Sequence, residues 1–208
     1  ANGDDRSLSA IVAEANAYGA DFMLSIHSNA GTPSNYVLEL YAGKELSDTH
    51  TYSDEKVKAT ETKSRDCSTL IGQNLWSNGI TTWSGRTAPY IAGDKTFGRN
   101  IMGWSNGYGV LRNLKVPGVI SEGCMHDYKP ETYRLMNMDY KKQEAWNFLR
   151  SFCTYFLNYS LPTGAIGGQV RDSYNQLVFP DIYRTANSRD DLNPLLGATV
   201  TLIQSNIV

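Results

Sequence analysis

Residues 20–30 read Ala-Asp-Phe-Met-Leu-Ser-Ile-His-Ser-Asn-Ala, and this stretch decides the predicted fold. From Asp21 to His27 the residues are apolar nearly throughout, which is typical of a strand that a sheet buries on both faces. Such strands occur mainly in parallel sheets that are covered by helices. The stretch therefore predicts a buried strand of an α/β domain, with His27 at the carboxyl end of that strand.

Helical and strand-like segments alternate on both sides of this strand. The preceding segment, residues 5–18, has apolar residues at helical spacing and is predicted to be a helix. Asp4, Asp5 or Ser7 can cap its start, and Gly19 can end it. The later predictions are a strand at 36–41, a long helix from about Val57 to Leu75, short strands at 110–111 and 118–122, a helix opening at Pro130, and a last helix with Ala145, Leu149, Phe152 and Phe156 on one stripe. This alternation predicts an α/β fold with a mostly parallel sheet flanked by helices.

Two regions depart from the alternation. Residues 77–109 are rich in glycine and have little periodicity, so they are predicted to form a long loop region. Beyond the turn at 161–164, residues 164–172 and 197–203 read as short strands of a β module. We therefore predict two parts, an α/β domain at 1–161 and the start of a β-sandwich-like module at 162–208.

Composition excludes two classes of protein. The 208 residues contain 19 basic and 21 acidic side chains, so the net charge of −2 gives no broad footprint for nucleic acid. The apolar stretches are shorter than the roughly 20 residues of a membrane span. We expect neither a nucleic-acid partner nor a membrane span in this chain.

Cysteine usage does not indicate a disulfide framework or a thiolate metal site. Cys67, Cys124 and Cys153 are odd in number and form no Cys-x-x-Cys pair, so they are predicted to be small buried apolar residues. The chain starts at Ala1 without an initiating methionine, which leads us to expect that it is cut from a longer protein.

Two polar residues follow buried strands. His27 ends the first strand, where open α/β sheets collect ligands, and a neutral imidazole is a common metal ligand. Glu122 ends the apolar run 117–121, where burial raises the pKa of a carboxyl as a general acid or base requires. Structural alternatives remain open: a hydrogen-bonded histidine, and a glutamate that caps the next segment or pairs with an arginine.

Together these pieces resemble a specific family. The run Ala-Asp-Phe-Met-Leu-Ser-Ile-His-Ser-Asn-Ala at 20–30 is similar to the motif of zinc-dependent N-acetylmuramoyl-L-alanine amidases that delivers a zinc-binding histidine. Pro-Gly-Val-Ile-Ser-Glu-Gly at 117–123 resembles the segment that carries the family's catalytic glutamate. The resemblance covers about residues 5–159. It implies that His27 is a zinc ligand and that Glu122 is the catalytic residue.

The implied reaction is hydrolysis of peptidoglycan. Zinc would activate a water molecule, and Glu122 would pass its proton to the leaving L-alanine amine of the stem peptide. The family's two other zinc ligands are expected before residue 1, so we expect this chain by itself to bind zinc weakly and to be inactive. The sequence also departs from the family after Glu122, where Cys-Met-His-Asp at 124–127 replaces the usual Gly-Phe turn.

Other polar and aromatic residues are candidates for substrate contact. Arginine side chains bind carboxylates through paired hydrogen bonds, and aromatic rings stack on sugars. We therefore predict substrate contacts for Asn29, Arg86, Arg99, Trp104 and Arg112. The aromatic residues of this loop region, which also include Trp83, Tyr90 and Phe97, could equally serve only to anchor the loop. His126 is predicted to lie in a surface turn and His50 to face solvent.

The alternative function is a non-catalytic peptidoglycan-binding or scaffold domain with the same fold. Upstream sequence would distinguish the two, because a Gly-His-Gly-like turn and a helical glutamate there would favour the enzyme. The tail from Gly164 resembles a carboxypeptidase-regulatory-like β-sandwich module, an appendage common in exported proteins. Both resemblances imply a bacterial cell-envelope location, periplasmic or surface-exposed.

Overall fold

The computed structural model describes residues 6–31, 34–45, 55–81, 85–103, 106–176 and 189–203. Their elements are α1 (Leu8–Tyr18), β1 (Met23–Asn29), β2 (Leu38–Tyr41), α2 (Glu55–Ser77), β3 (Tyr90–Gly93), α3 (Asp94–Phe97), a π-helical turn (Gly98–Met102), β4 (Gly118–Met125), α4 (Lys129–Leu135), α5 (Met138–Leu157), β5 (Arg171–Gln176) and β6 (Leu192–Pro194). The predicted helix before β1 and both strands that carry His27 and Glu122 are confirmed.

Four strands form the central sheet in the order β1-β4-β2-β3. Strand β4 pairs in parallel with β1 and antiparallel with β2, and β2 pairs in parallel with β3. Helices α2 and α5 cover one face through the core that includes Ile71, Leu75 and Phe148. The other face packs on α3 and on the loop before β4, with Phe97 and Leu111 in its core. The α/β fold with a mostly parallel sheet is confirmed.

Helix α1 starts and ends where its sequence signals lie. The Ser7 hydroxyl accepts a hydrogen bond from the amide of Ala10 at 3.2 Å, and Gly19 adopts the left-handed conformation that ends the helix. Of the three predicted caps, Ser7 is therefore the one that the helix uses among the described residues. Asp4 and Asp5 lie outside them.

The region predicted as a long loop contains regular structure, so that prediction was wrong. Residues 90–93 form β3, which pairs with β2 and continues directly into α3. Four residues that follow Pro89 and end at Gly93 are too few for a periodic pattern, and the pairing depends on a distant strand. The strand predicted at 110–111 is also absent: these residues form turns, and their side chains reach the core without any sheet pairing.

Of the four residues predicted to form the buried stripe of helix α5, Phe152 packs against the core, whereas Ala145, Leu149 and Phe156 are exposed. The buried residues of this part of the helix are Asn147, Phe148 and Ser151. The reason is polar pairing with α2 and the residue that follows it: the Asn74 amide donates to the Ser151 hydroxyl at 2.8 Å, and the Asn78 amide donates to Asn147 Oδ1 at 2.6 Å. These hydrogen bonds make a buried polar stripe possible.

The tail forms a small antiparallel sheet of β5 and β6. The strands predicted at 164–172 and 197–203 are misplaced, because among the described residues of the tail only 171–176 and 192–194 are strand. A buried contact joins this sheet to the turn after β4: Tyr128 Oη donates to Asp190 Oδ2 at 2.7 Å, and Arg171 Nη2 donates to Asp190 Oδ1 at 3.0 Å. The division into 1–161 and 162–208 stays a prediction.

Two further expectations concern cysteines and membranes. All three cysteines are free. Cys67 and Cys124 are buried as predicted, whereas Cys153 is part-exposed, so the prediction of burial was wrong for that residue. In the part of the chain that the structure describes, no helix combines the length and apolar character needed to cross a membrane.

A buried carboxyl lies behind β4. Burial raises the pKa of Glu144 on α5 to about 7. A Cβ added at Gly123 would lie 2.5 Å from Glu144 Oε1 and 3.2 Å from the Ile80 side chain, so a larger residue there would displace the Glu144 carboxyl. Glycine at this position lets α5 bring the carboxyl close to the backbone of β4.

The protonation of Glu144 should make stability depend on pH. The unfolded carboxyl titrates near 4.5 and the folded one near 7, so the folded state binds more protons between these values. The free energy of unfolding should therefore fall as pH rises through this window, by on the order of 1–3 kcal/mol. Urea unfolding from pH 4.5 to 8 measures the slope of the unfolding free energy against pH, and this slope should be shallower for Glu144→Gln than for the wild type. Asp139→Asn, an exposed carboxylate on the same helix, should leave the slope unchanged; equal slopes for both variants would contradict the assignment.

The contact of Tyr128 with Asp190 should contribute measurably to stability. Tyr128→Phe removes the phenol that donates to a buried carboxylate oxygen, so the free energy of unfolding should fall by about 1–3 kcal/mol. Tyr133→Phe on α4, the helix that Tyr128 precedes, is the control, because the Tyr133 side chain is exposed and its substitution should change stability little. Denaturant unfolding compares the two variants, and equal stabilities would show that the tail does not depend on this contact.

Candidate active site

The register of β1 and β4 brings the two predicted site residues together. His27 is the direct partner of Glu122 in the parallel pair, so their side chains lie on the same face of the sheet. Leu38 of β2 is the partner of Glu122 on its other side and belongs to the core that Phe97 and Leu111 share. The imidazole and the carboxylate therefore stand side by side on the face opposite α2 and α5.

Glu122 is half-buried, and its environment changes its acidity. Burial raises its pKa above the ordinary value of 4.5, and the charge on His126 lowers it in part. A carboxyl whose pKa is raised holds a proton closer to neutral pH and can both accept and donate it. His27 is exposed beside it, and its Nε2 shares a hydrogen bond of 2.8 Å with the Ser25 hydroxyl.

A bulge in β4 directly after Glu122 places His126 near the site. The register shifts between His27 and Asn29, so that Asn29 pairs with Met125. The His126 amide then donates to the Asn29 carbonyl at 2.8 Å, and His126 Nδ1 lies 3.1 Å from the Ser28 carbonyl oxygen. His126 lies in a surface turn, as predicted, but this turn returns to β1 and keeps its charge close enough to act on Glu122.

Aromatic side chains form a row beside Glu122. This aromatic row consists of Tyr36, Tyr90, Phe97 and Tyr108, with neighbouring ring centroids 5.8 to 6.3 Å apart. Burial raises the pKa values of Tyr36 and Tyr108, and the Glu122 carboxylate raises both further, so both phenols lie near that carboxylate. The Arg86 guanidinium stacks on the row, 4.1 Å from the Tyr90 centroid and 5.7 Å from that of Tyr36.

A buried aspartate holds the end of the aromatic row. Asp94 follows β3 and accepts hydrogen bonds from the amides of Gly43 and Tyr108, each at 2.9 Å. Gly107 makes the approach possible, because a Cβ there would collide with the Asp94 carboxylate and because its φ of +73° favours glycine. The loop that carries Tyr108 is thereby fixed to the end of β3.

The five residues predicted to contact substrate fall in different places. Arg86 joins the aromatic row near Glu122. Asn29 ends β1 beside the site, where its Oδ1 accepts from the Ala30 amide at 2.8 Å. Arg99 is exposed on the π-helical turn, and Arg112 lines a separate cavity beside α2. Trp104, like Trp83 and His50, lies outside the described residues. Their roles stay predictions.

Sequence reasoning missed Tyr36 and Tyr108 as neighbours of the site. Tyr36 lies two residues before β2, and Tyr108 lies in the glycine-rich loop, so neither position has a local signal that points to Glu122. The antiparallel pairing of β2 with β4 and the Asp94 anchor bring them there. Only the sheet order would have identified them.

The described residues do not complete a zinc site. No group of three histidine, cysteine, aspartate or glutamate side chains within them converges as metal ligands do. His27 would supply one ligand, and its Nε2 is bonded to Ser25 here.

The fold and this geometry define an α/β domain in which a histidine and a half-buried glutamate are paired on neighbouring parallel strands. The chain belongs to the N-acetylmuramoyl-L-alanine amidase family (Amidase_3), whose family model matches residues 1–152. This confirms the family resemblance. The family is generally zinc-dependent. A comparison with curated proteins found no match.

The chain is similar to solved structures of amidases, of which one supports the shared fold with a TM-score above 0.5. The N-acetylmuramoyl-L-alanine amidase from Clostridium difficile 630 is 17% identical with a TM-score of 0.51, and the match covers 73% of this chain and 66% of that one. The catalytic domain of CwlV from Bacillus (Paenibacillus) polymyxa var. colistinus is 18% identical, with a TM-score of 0.45 and 74% and 66% of the two chains covered. Ami1 from Mycobacterium smegmatis is 14% identical, with a TM-score of 0.49 and 71% and 59% covered. The chain thus spans just under two thirds of the first two structures.

Removal of the His126 charge should change the acidity of Glu122. The positive imidazolium lowers the pKa of Glu122, so that pKa should be higher in His126→Asn than in the wild type. Carbon-13 NMR of the glutamate carboxyl groups against pH measures this change. Glu144, on the other face of the sheet, is the internal control and should titrate as before. An unchanged or lower pKa of Glu122 would contradict the arrangement.

Proposed function

We propose that this protein is a peptidoglycan hydrolase that cleaves the amide between N-acetylmuramic acid and the L-alanine of the stem peptide. The single observation that carries the proposal is the pairing of His27 with Glu122 on one sheet face, in a chain that belongs to the amidase family. Both residues lie in the carboxyl-terminal halves of their strands, β1 (Met23–Asn29) and β4 (Gly118–Met125), toward the edge at which α/β sheets collect ligands. The partner of the protein is then peptidoglycan itself.

Glu122 is the proposed proton carrier. As a carboxylate it takes a proton from the attacking water, whose oxygen forms a new bond to the lactyl carbonyl carbon. The carboxylic acid then gives that proton to the nitrogen of L-alanine as the carbon–nitrogen bond breaks. The raised pKa of Glu122 supports this role, because it brings the pKa of the carboxyl closer to the pKa values of the groups with which it exchanges protons.

The aromatic row and Arg86 are the proposed contacts for the substrate beside this reaction centre. Tyr36 and Tyr108 offer ring faces to a sugar, and the Arg86 guanidinium offers a planar pair of donors to a stem-peptide carboxylate. Asn29 would stabilise the end of β1 near this region through its bond to Ala30. With the sugar on the tyrosines and the stem peptide on Arg86, glycan and peptide would bind to neighbouring parts of one cleft.

Zinc dependence is part of the proposal for the full-length protein, with His27 as one ligand. Zinc supplies a Lewis acid and a more acidic bound water in such sites. A peptidoglycan substrate also leads us to propose a cell-envelope location. The second candidate function is a non-catalytic peptidoglycan-binding domain with the same fold.

Digestion of purified peptidoglycan distinguishes the two functions. The full-length protein should release stem peptides with a free L-alanine amino terminus, which mass spectrometry detects. Glu122→Gln should lower the rate by about 10²–10⁴-fold, because the proton carrier is lost while the shape is kept. Asp139→Asn is the control for a carboxylate changed to an amide far from the site.

Two results would contradict the proposal. Wild-type activity in Glu122→Gln would exclude Glu122 as the proton carrier. A wild-type protein that sediments with peptidoglycan and yet releases no free L-alanine termini, with or without added zinc, would overturn the hydrolase and favour the binding domain. Circular dichroism verifies that each variant is folded before its rate is interpreted.

A further inference from the structure

A buried asparagine lies outside the sheet, three residues before β2. Asn35 has no exposed surface, although its side-chain amide carries both hydrogen-bond donors and an acceptor. Burial of such an amide is costly unless these groups are hydrogen-bonded within the protein. The partners of Asn35 therefore show which parts of the molecule it connects.

The Asn35 side chain joins the end of β4 to α4. Its Oδ1 accepts a hydrogen bond from the backbone amide of Met125, the last residue of β4, at 3.1 Å. Its Nδ2 donates to Oε1 of Glu131 on α4 at 2.8 Å. One side chain thus fixes the segment before β2 to the strand that carries Glu122 and to the helix that follows this strand.

The backbone carbonyl of Asn35 makes a third connection. It accepts a hydrogen bond from the amide of Gly85 at 2.9 Å. Gly85 directly precedes Arg86, in the segment that leads into β3. Asn35 is therefore the point at which this segment, the segment before β2 and the end of β4 are hydrogen-bonded to one residue.

Each of these three segments presents a side chain near Glu122 at the position directly after its hydrogen-bonded residue. These side chains are Tyr36, Arg86 and His126. The Arg86 guanidinium lies 5.7 Å from the centroid of the Tyr36 ring, and the charge of His126 acts on the Glu122 carboxyl. The hydrogen bonds of Asn35 thus fix the backbone beside all three side chains at once.

Glu131 and Arg134 set the orientation of the Asn35 amide. The Glu131 side chain is fully buried, and its Oε2 accepts from Arg134 Nη1 at 2.9 Å. Arg134 also donates to the carbonyls of Gly79 and Ile80, at 2.8 and 2.5 Å, which fixes the ion pair to the chain after α2. Because a carboxylate only accepts hydrogen bonds, Glu131 turns the NH₂ group of Asn35 toward α4 and its oxygen toward β4.

We propose that Asn35 is a positioning residue for substrate binding, and that Glu131 keeps its amide in the required orientation. The inference rests on the proposed function, because Asn35 acts on the substrate through Tyr36 and Arg86. The backbone pairing of β1 with β4 holds Glu122 independently of Asn35. Loss of the Asn35 side chain should therefore weaken substrate binding more than it slows the chemical step.

NMR of the Arg86 Nε–Hε group tests the arrangement without substrate. The Tyr90 ring, whose centroid lies 4.1 Å from the guanidinium carbon, shifts this signal upfield relative to Tyr90→Leu. Asn35→Ala should lose at least half of this shift, because the backbone that holds Gly85 is no longer fixed to β4 and α4.

Asn147→Ala is the matched control for loss of a buried asparagine. Asn147 on α5 is 1% exposed, and its side chain accepts from Asn78 and donates to the Gln143 carbonyl. It lies on the helix that covers the other face of the sheet, so its removal should lower stability and leave the Arg86 signal unchanged. An equal change of that signal in both variants would overturn the proposal.

An exchange of the two polar groups tests the orientation of the amide. Glu131→Gln replaces two acceptor oxygens by one oxygen and one NH₂ group, so the NH₂ group meets a donor of either Asn35 or Arg134. Addition of Asn35→Asp gives that NH₂ group an acceptor and keeps the net charge of the wild type. Glu131→Gln should reduce the Arg86 shift, and the double variant should restore it. This comparison decides the proposal even where Asn35→Ala does not fold.

Kinetics of the full-length protein on a soluble N-acetylmuramoyl tripeptide test the link to the reaction. Asn35→Ala should raise KM about tenfold and change kcat by less than about threefold. The exchanged double variant should restore KM, and Asn147→Ala should leave both constants unchanged.

Three results would overturn the proposal: a wild-type Arg86 signal in Asn35→Ala and Glu131→Gln, no rescue by the double variant, or a loss of kcat at unchanged KM. A wild type that binds the tripeptide without hydrolysing it would instead overturn the proposed function. The affinities of the same variants for the tripeptide would then decide the role of Asn35, and equal affinities of Asn35→Ala and the wild type would exclude it.

Discussion

The position of β4 between β1 and β2 is the constraint on which the rest of the structure depends. Its parallel register with β1 sets His27 opposite Glu122, and its antiparallel register with β2 sets Leu38 on the other side of the same glutamate. A shift of one residue would turn Glu122 to the face that α2 and α5 cover. The register therefore decides whether the chain has an acid–base site at all.

Buried carboxyls hold the parts around this strand. Glu39 of β2 accepts a hydrogen bond from the hydroxyl of Ser121, the neighbour of Glu122, and burial raises the pKa of Glu39 well above its usual range. Asp94 fixes the loop of Tyr108, and Glu131 of α4 fixes the segment before β2. Each group lies where two segments from distant parts of the sequence meet. The cost of burying a carboxyl is thus incurred at the places that position the site.

Much of the fold and the two central site residues could be predicted from sequence, because their signals are local. Segments that are apolar nearly throughout identified β1 and β4, and Ser7 and Gly19 marked the ends of α1. Strand β3 is too short to show a pattern, and its place in the sheet follows from pairing with β2. The buried stripe of α5 depends on polar partners supplied by α2 and the residue that follows it, which the sequence of α5 alone does not reveal. The aromatic row likewise depends on which strands are neighbours.

The central claim is that the scissile amide of peptidoglycan lies between His27 and Glu122. It is tested most directly by an experimental structure of the full-length protein with a bound fragment of muramoyl-L-alanine stem peptide. The account predicts the lactyl carbonyl beside His27, the L-alanine nitrogen within hydrogen-bond reach of the Glu122 carboxyl, and the sugar against the aromatic row. A fragment bound with its amide elsewhere, for example on the face covered by α2 and α5, would contradict it.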